Sequence, residues 1–176
     1  MYLGRVDTDF NGLVLFDPSA LRQHYGGRIR AGTDLFTRYV STDEGDEVLS
    51  KGLIVPVLAI DDAGYDIAVH LASEPYAPPG EVLVENGKYA LRVVERLVVA
   101  DLLVLKEWSN KFESWTDTGI RPGLYAVTAR GFRNMATKGR KKQIVQAGYE
   151  FVLEPKRKLP KVSADTGMDM KVIRLD

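Results

Sequence analysis

Between Arg130 and Lys142 the chain carries six cations, Arg130, Arg133, Lys138, Arg140, Lys141 and Lys142, and no acid. Clustered guanidinium and ammonium groups bind phosphate or carboxylate, and Phe132 beside them offers one ring on which a base can stack. Single-strand readers present several aromatics, so the run reads equally as a solvated hairpin tip, as a contact for an acidic protein, or as a contact for the acidic part of its own chain. A second run, STDEGDE at 41–47, gathers Asp43, Glu44, Asp46 and Glu47 around one glycine. Oxygen ligands on a tight turn suit a hard cation, but the twelve-residue EF-hand pattern is missing. Against the plain reading of a solvated acidic loop, recognition of a basic protein partner stands ahead of metal, because such a loop steers encounter and suppresses wrong partners.

Other chemistry has little to build on. His24 and His70 are the only histidines and there is no cysteine. No zinc site or nucleophile–base pair can be assembled from local spacing. Both histidines read as surface residues, His24 near a helix end and His70 on the outward face of a strand. The expectation is no catalytic residue, no metal and no cofactor. The absence of cysteine fits a reducing compartment. MYLGRVDTDF lacks a basic stretch followed by an apolar one, and no run of about 18 apolar residues occurs, so the expected location is cytoplasmic, without membrane contact.

The formal net charge of zero hides a segregation. Residues 1–120 hold 11 Lys and Arg against 19 Asp and Glu, whereas residues 121–161 hold 11 against two, Glu150 and Glu154. An acidic body thus precedes a basic C-terminal region.

The elements that carry these charges read as strands. Period-two alternation groups Tyr65, Ile67, Val69 and Leu71, then Tyr89, Leu91 and Val93, then Tyr125, Val127 and Ala129, then Tyr149, Phe151 and Leu153 on one face each. ERLVVADLLVL is apolar throughout, which calls for a strand buried on both faces or a bulge that shifts register. DDAGYD, PYAPPGE, ENGK and GIRPGLY supply turns. In DPSALRQHYGG, Asp17 caps, Pro18 suits a first turn and Gly26 stops a helix. KEWSNKFESW places Trp108, Phe112 and Trp115 at helical spacing, a pattern that more often seals a core than presents interface anchors. The fold class expected is mainly β, an antiparallel sandwich or barrel-like domain spanning 1–176, with one or two short helices and a basic hairpin or crossover loop at about 131–143.

GLVLFDP, ENGKYALRVVERL and RPGLYAVTARGF…GYEFVLEP together resemble small bacterial β-sandwich proteins of the competence protein J type, nuclease inhibitors of DNA-uptake operons, and related immunity-like families. The matching positions are Phe16 and Asp17, then Pro122, Gly123 and Tyr125, then Tyr149, Leu153 and Pro155. This chain departs in a longer front segment, a basic insert at 133–142 and the lack of a Trp before Pro155. The resemblance implies a protein that binds and neutralises a toxin or nuclease, with no catalysis of its own. The alternative from the charges is a nucleic-acid-associated protein using the segment 130–142.

Overall fold

The structure is a computed structural model that describes residues 1–111 and 115–174. Strand accounts for 43% of the described residues and helix for 15%, in two sheets with no closed barrel. The first sheet, in the order β1-β4-β9-β8-β5, comprises β1 (Tyr2–Asp7), β4 (Gly64–Leu71), β9 (Lys141–Lys156), β8 (Gly123–Lys138) and β5 (Glu81–Val93). The second, in the order β3-β2-β6-β7, comprises β3 (Val55–Leu58), β2 (Gly12–Phe16), β6 (Val98–Asp101) and β7 (Thr116–Asp117). All pairings are antiparallel except β4 with β9, which run parallel with Ile67 opposite Tyr149.

The alternating faces meet where period two places them. Tyr65, Ile67, Val69, Tyr89, Leu91, Val93, Tyr125, Val127, Tyr149, Phe151 and Leu153 form one buried cluster with Leu13, Leu15, Val55, Val57 and Val99 of the second sheet. The other face of that sheet, Val14, Phe16, Val98 and Ala100, packs on helices through Leu21, Leu35, Val48 and Leu105, and on Trp108. β2 and much of β6 are therefore buried on both sides, which explains the unbroken apolar runs GLVLF and LVVA.

Among the described residues there are four helices rather than the one or two expected: α1 (Pro18–His24), α2 (Leu35–Ser41), α3 (Glu44–Ser50) and α4 (Leu103–Lys106). α1 begins as the sequence predicts, with Pro18 in the first turn and Asp17 capping. Asp17 does more than cap. One oxygen accepts from Ser19 N and Ala20 N, the other from Val94 N, Glu95 N and Arg96 N. A fully buried carboxylate thus ties the helical layer to the β5–β6 turn.

The expected helix at KEWSNKFESW is not formed by residues 107–111, and Phe112 lies outside the described residues. Trp108 is buried and packs against Phe16 and Trp115. The aromatic spacing there comes from lining one core, with α4 ending just before it.

Candidate functional site

The acidic run is not a loop. Asp43 stands at the N-cap of α3, and Glu44, Asp46 and Glu47 fill its first turn, where carboxylates interact well with the helix dipole. Gly45 is required by packing: a β-carbon there would lie 2.1 Å from the carbonyl oxygen of Tyr39. α3 can cross α2 closely only because this position has no side chain.

The four carboxylates then divide. Glu44 accepts a bidentate pair from Arg38 at 2.9 and 2.8 Å and a bond from the Tyr25 hydroxyl at 2.5 Å. With its proton committed to Glu44, Tyr25 accepts from Tyr39. Burial raises both phenols well above the ordinary range, reinforced at Tyr25 by the Glu44 carboxylate. Glu47 pairs with Lys51 at 2.6 Å, which holds its carboxyl below the usual range. Nearby, Lys106 and the Thr37 backbone bring Asp34, the cap of α2, down to about 2. Asp43 and Asp46 are exposed and make no ion pair with any described residue. Phe36, Tyr39, Val40, Asp46 and Leu49 line a cavity of about 300 Å³, and Val40 is 62% exposed. One carboxylate with no ion-pair partner among the described residues, Asp46, therefore borders an open apolar groove, and Asp43 stands at the N-cap of the same helix.

The basic run is a hairpin whose cations lie mostly within its strands. β8 and β9 run to the tip, where Lys138 faces Lys141 across the two-residue connection Gly139–Arg140. Gly139 has φ 65°, as the first position of a type II′ turn requires. β5 accompanies β8 only as far as Arg133, and β4 accompanies β9 only from Gly148 onward. Residues 134–138 and 141–146 thus pair only with each other and leave the sheet as a two-stranded ribbon.

The six cations do not act together. Arg130 is held in the sheet by Glu85 at 2.6 Å, with Glu150 at 3.8 Å. Arg133 donates to the carbonyl of Arg174. Lys138, Arg140, Lys141 and Lys142 are exposed and have no ion-pair partner among the described residues. Phe132 is 1% exposed, so the stacking ring proposed from sequence is not available.

His70 is the clearest correction. It lies on the outer face of the first sheet, as alternation predicts, yet that face is covered: His70 is 4% and Glu150 1% exposed. The ring of Tyr76, from the proline-rich segment between β4 and β5, sits 5.0 Å from the imidazole. Glu150 has no local signal that marks it as buried, since its partner lies in a distant strand.

Among the described residues, no group of three or more His, Cys, Asp or Glu is placed to hold a metal ion. No helix among them is long and apolar enough to cross a membrane. No protein-family model and no curated protein matches the chain. Two solved structures are similar. The Crocagin biosynthetic gene J product has 14% identity and a TM-score of 0.46 over 89% of this chain and 100% of its own. The crystal structure of ComJ from Bacillus subtilis, an inhibitor of the DNA-degrading activity of NucA, has 12% identity and a TM-score of 0.50 over 89% of this chain and 96% of its own. The chain therefore resembles ComJ in fold, as the segments around Asp17, Tyr125 and Pro155 suggest.

Proposed function

We propose that this protein is a binding protein that neutralises a nuclease or toxin by laying its α2–α3 surface over a basic site on that partner. The observation that carries the reading is the exposed N-terminus of α3, where Asp46 borders an apolar groove and Asp43 holds the N-cap, neither in an ion pair with a described residue. Free charges at the rim steer encounter, and a groove that receives an apolar side chain supplies the anchor on which affinity rests. Support comes from the shared fold with an inhibitor of a DNA-degrading enzyme over most of both chains. Inhibition requires no catalytic group of its own, and a protein is the expected main partner. The cytoplasm is the expected place of action. The basic ribbon stands apart from this surface and suits a polyanion.

The test is to titrate the protein into the nuclease or toxin encoded beside its gene and to follow DNA degradation or toxicity. Stoichiometric loss of activity is expected. Full activity in the presence of excess protein, or a locus without any such gene, turns the reading down.

A further inference from the structure

We infer that the ribbon formed by residues 134–146 is a contact for the phosphate backbone of duplex nucleic acid, independent of nucleotide sequence and separate from the α2–α3 surface.

The ribbon is built against its own stability. Lys138 stands directly opposite Lys141, with Lys142 next in line and Arg140 in the turn between them. Like charges facing one another across a strand pair are destabilising, and no acid occurs from 134 to 146 to offset them. Such an arrangement is relieved by an anionic partner.

The tip is also poorly suited to the other polyanion, an acidic protein. Residues 136–143 are all exposed and comprise Ala136, Thr137, Gly139, Gln143 and the four cations. Protein interfaces rest on aromatic, large apolar and arginine anchors packed in a desolvated centre, and of these the tip has only Arg140, with no apolar surface around it. The ribbon's exposed large apolar residue, Val145, sits at the bulge near its base. Phosphate contacts ask only for Lys, Arg and neutral donors of the Thr and Gln kind. Single strands are disfavoured because no ring is exposed on the ribbon and Phe132 is buried. A duplex remains: a two-stranded ribbon fits its major groove, and five residues beyond the sheet reach about 16 Å, enough to span the groove's depth.

The experiment is fluorescence anisotropy with a labelled random-sequence duplex of about 20 base pairs, from about 50 to about 300 mM KCl. Binding in the range of non-specific contacts is expected, with a log–log salt slope no steeper than about −3.6 for four cations. The variant K138Q/R140Q/K141Q/K142Q should lose that binding while its melting temperature holds or rises slightly, since the facing charges repel. Replacing the three lysines by arginine should retain it. No binding at the lowest salt, binding that the quadruple variant keeps, or tighter binding to polyglutamate of matched charge would each overturn the inference.

Discussion

His70 Nε2 lies 2.7 Å from Glu150 Oε1, and His70 Nδ1 lies 2.8 Å from the carbonyl oxygen of Leu71. A carbonyl only accepts, so Nδ1 carries a proton. The imidazole and the carboxyl share one further proton, and the pair is net neutral whichever of them holds it. Glu150→Ala or His70→Ala leaves one polar partner buried alone and should cost about 3–5 kcal/mol in denaturant unfolding. Glu150→Gln, which can still donate to a neutral ring, should cost far less. Equal losses in Gln and Ala variants would show that the packing of the side chain, rather than the shared proton, holds this face.

Asp17 gives a second expectation. Five backbone donors converge on its carboxylate, so Asp17→Ala should lower stability by about 3 kcal/mol or more. Asp17→Ser can recover the helix cap, worth about 1 kcal/mol, but cannot reach the β5–β6 turn. Chemical denaturation should therefore rank the wild type above Ser and Ser above Ala, and Ser equal to wild type would restrict Asp17 to capping.

Alkaline pH should unfold the protein through its tyrosines. Burial pushes the hydroxyls of Tyr65 and Tyr89 up to about 12, aided by Asp61 and Asp62 at Tyr65 and by Asp165 at Tyr89. A phenol whose pKa is raised on folding contributes stability that is complete below its unfolded value, 10.0, and is lost as pH rises toward about 12. Absorbance of phenolate should lag behind that of free tyrosine and then rise together with loss of tertiary signal. A phenolate titration near pH 10 with the fold intact would contradict the buried positions.

At the acidic surface, Asp43→Asn with Asp46→Asn should slow association with the proposed protein partner and flatten its salt dependence, with little change in melting temperature. Asn still suits the N-cap, and neither aspartate is in an ion pair with a described residue. Glu44→Gln should instead perturb stability, because Arg38 and Tyr25 both rely on that carboxylate. Surface plasmon resonance separates the two outcomes; an association rate unchanged in the double variant would move the interface elsewhere.

The strand faces were readable because period two needs only local information: Tyr149, Phe151 and Leu153 alternate and all three are buried. α1 was readable from Asp17 and Pro18 for the same reason. The pair α2–α3 was hidden by its composition. Its helices are seven residues each, and four acids around a glycine look like a solvated turn, although Asp34 and the Leu35–Tyr39 spacing signal a helix start. His70 was misread because alternation identifies a face and cannot say what covers it. The cover comes from Tyr76 and the buried partner from β9, both set by tertiary packing. At the basic run, sequence left a hairpin and a crossover loop both open, and it could not tell that Arg130 and Arg133 are engaged while the four tip cations have no ion-pair partner among the described residues.

The parallel pairing of β4 with β9 has a consequence for how the chain is made. Residues 12–117 contain every strand of the second sheet, so its partners are all present well before the ribosome reaches β9. Until residues 148–153 emerge, the edge of β4 that β9 will occupy stays open, and Tyr65, Ile67 and Val69 lack the strand that seals them. Topologies dominated by such distant contacts fold slowly, in about milliseconds to seconds. A nascent chain waiting in that state is exposed to edge-to-edge association, and a truncation before Gly148 leaves an open apolar layer rather than a smaller sandwich.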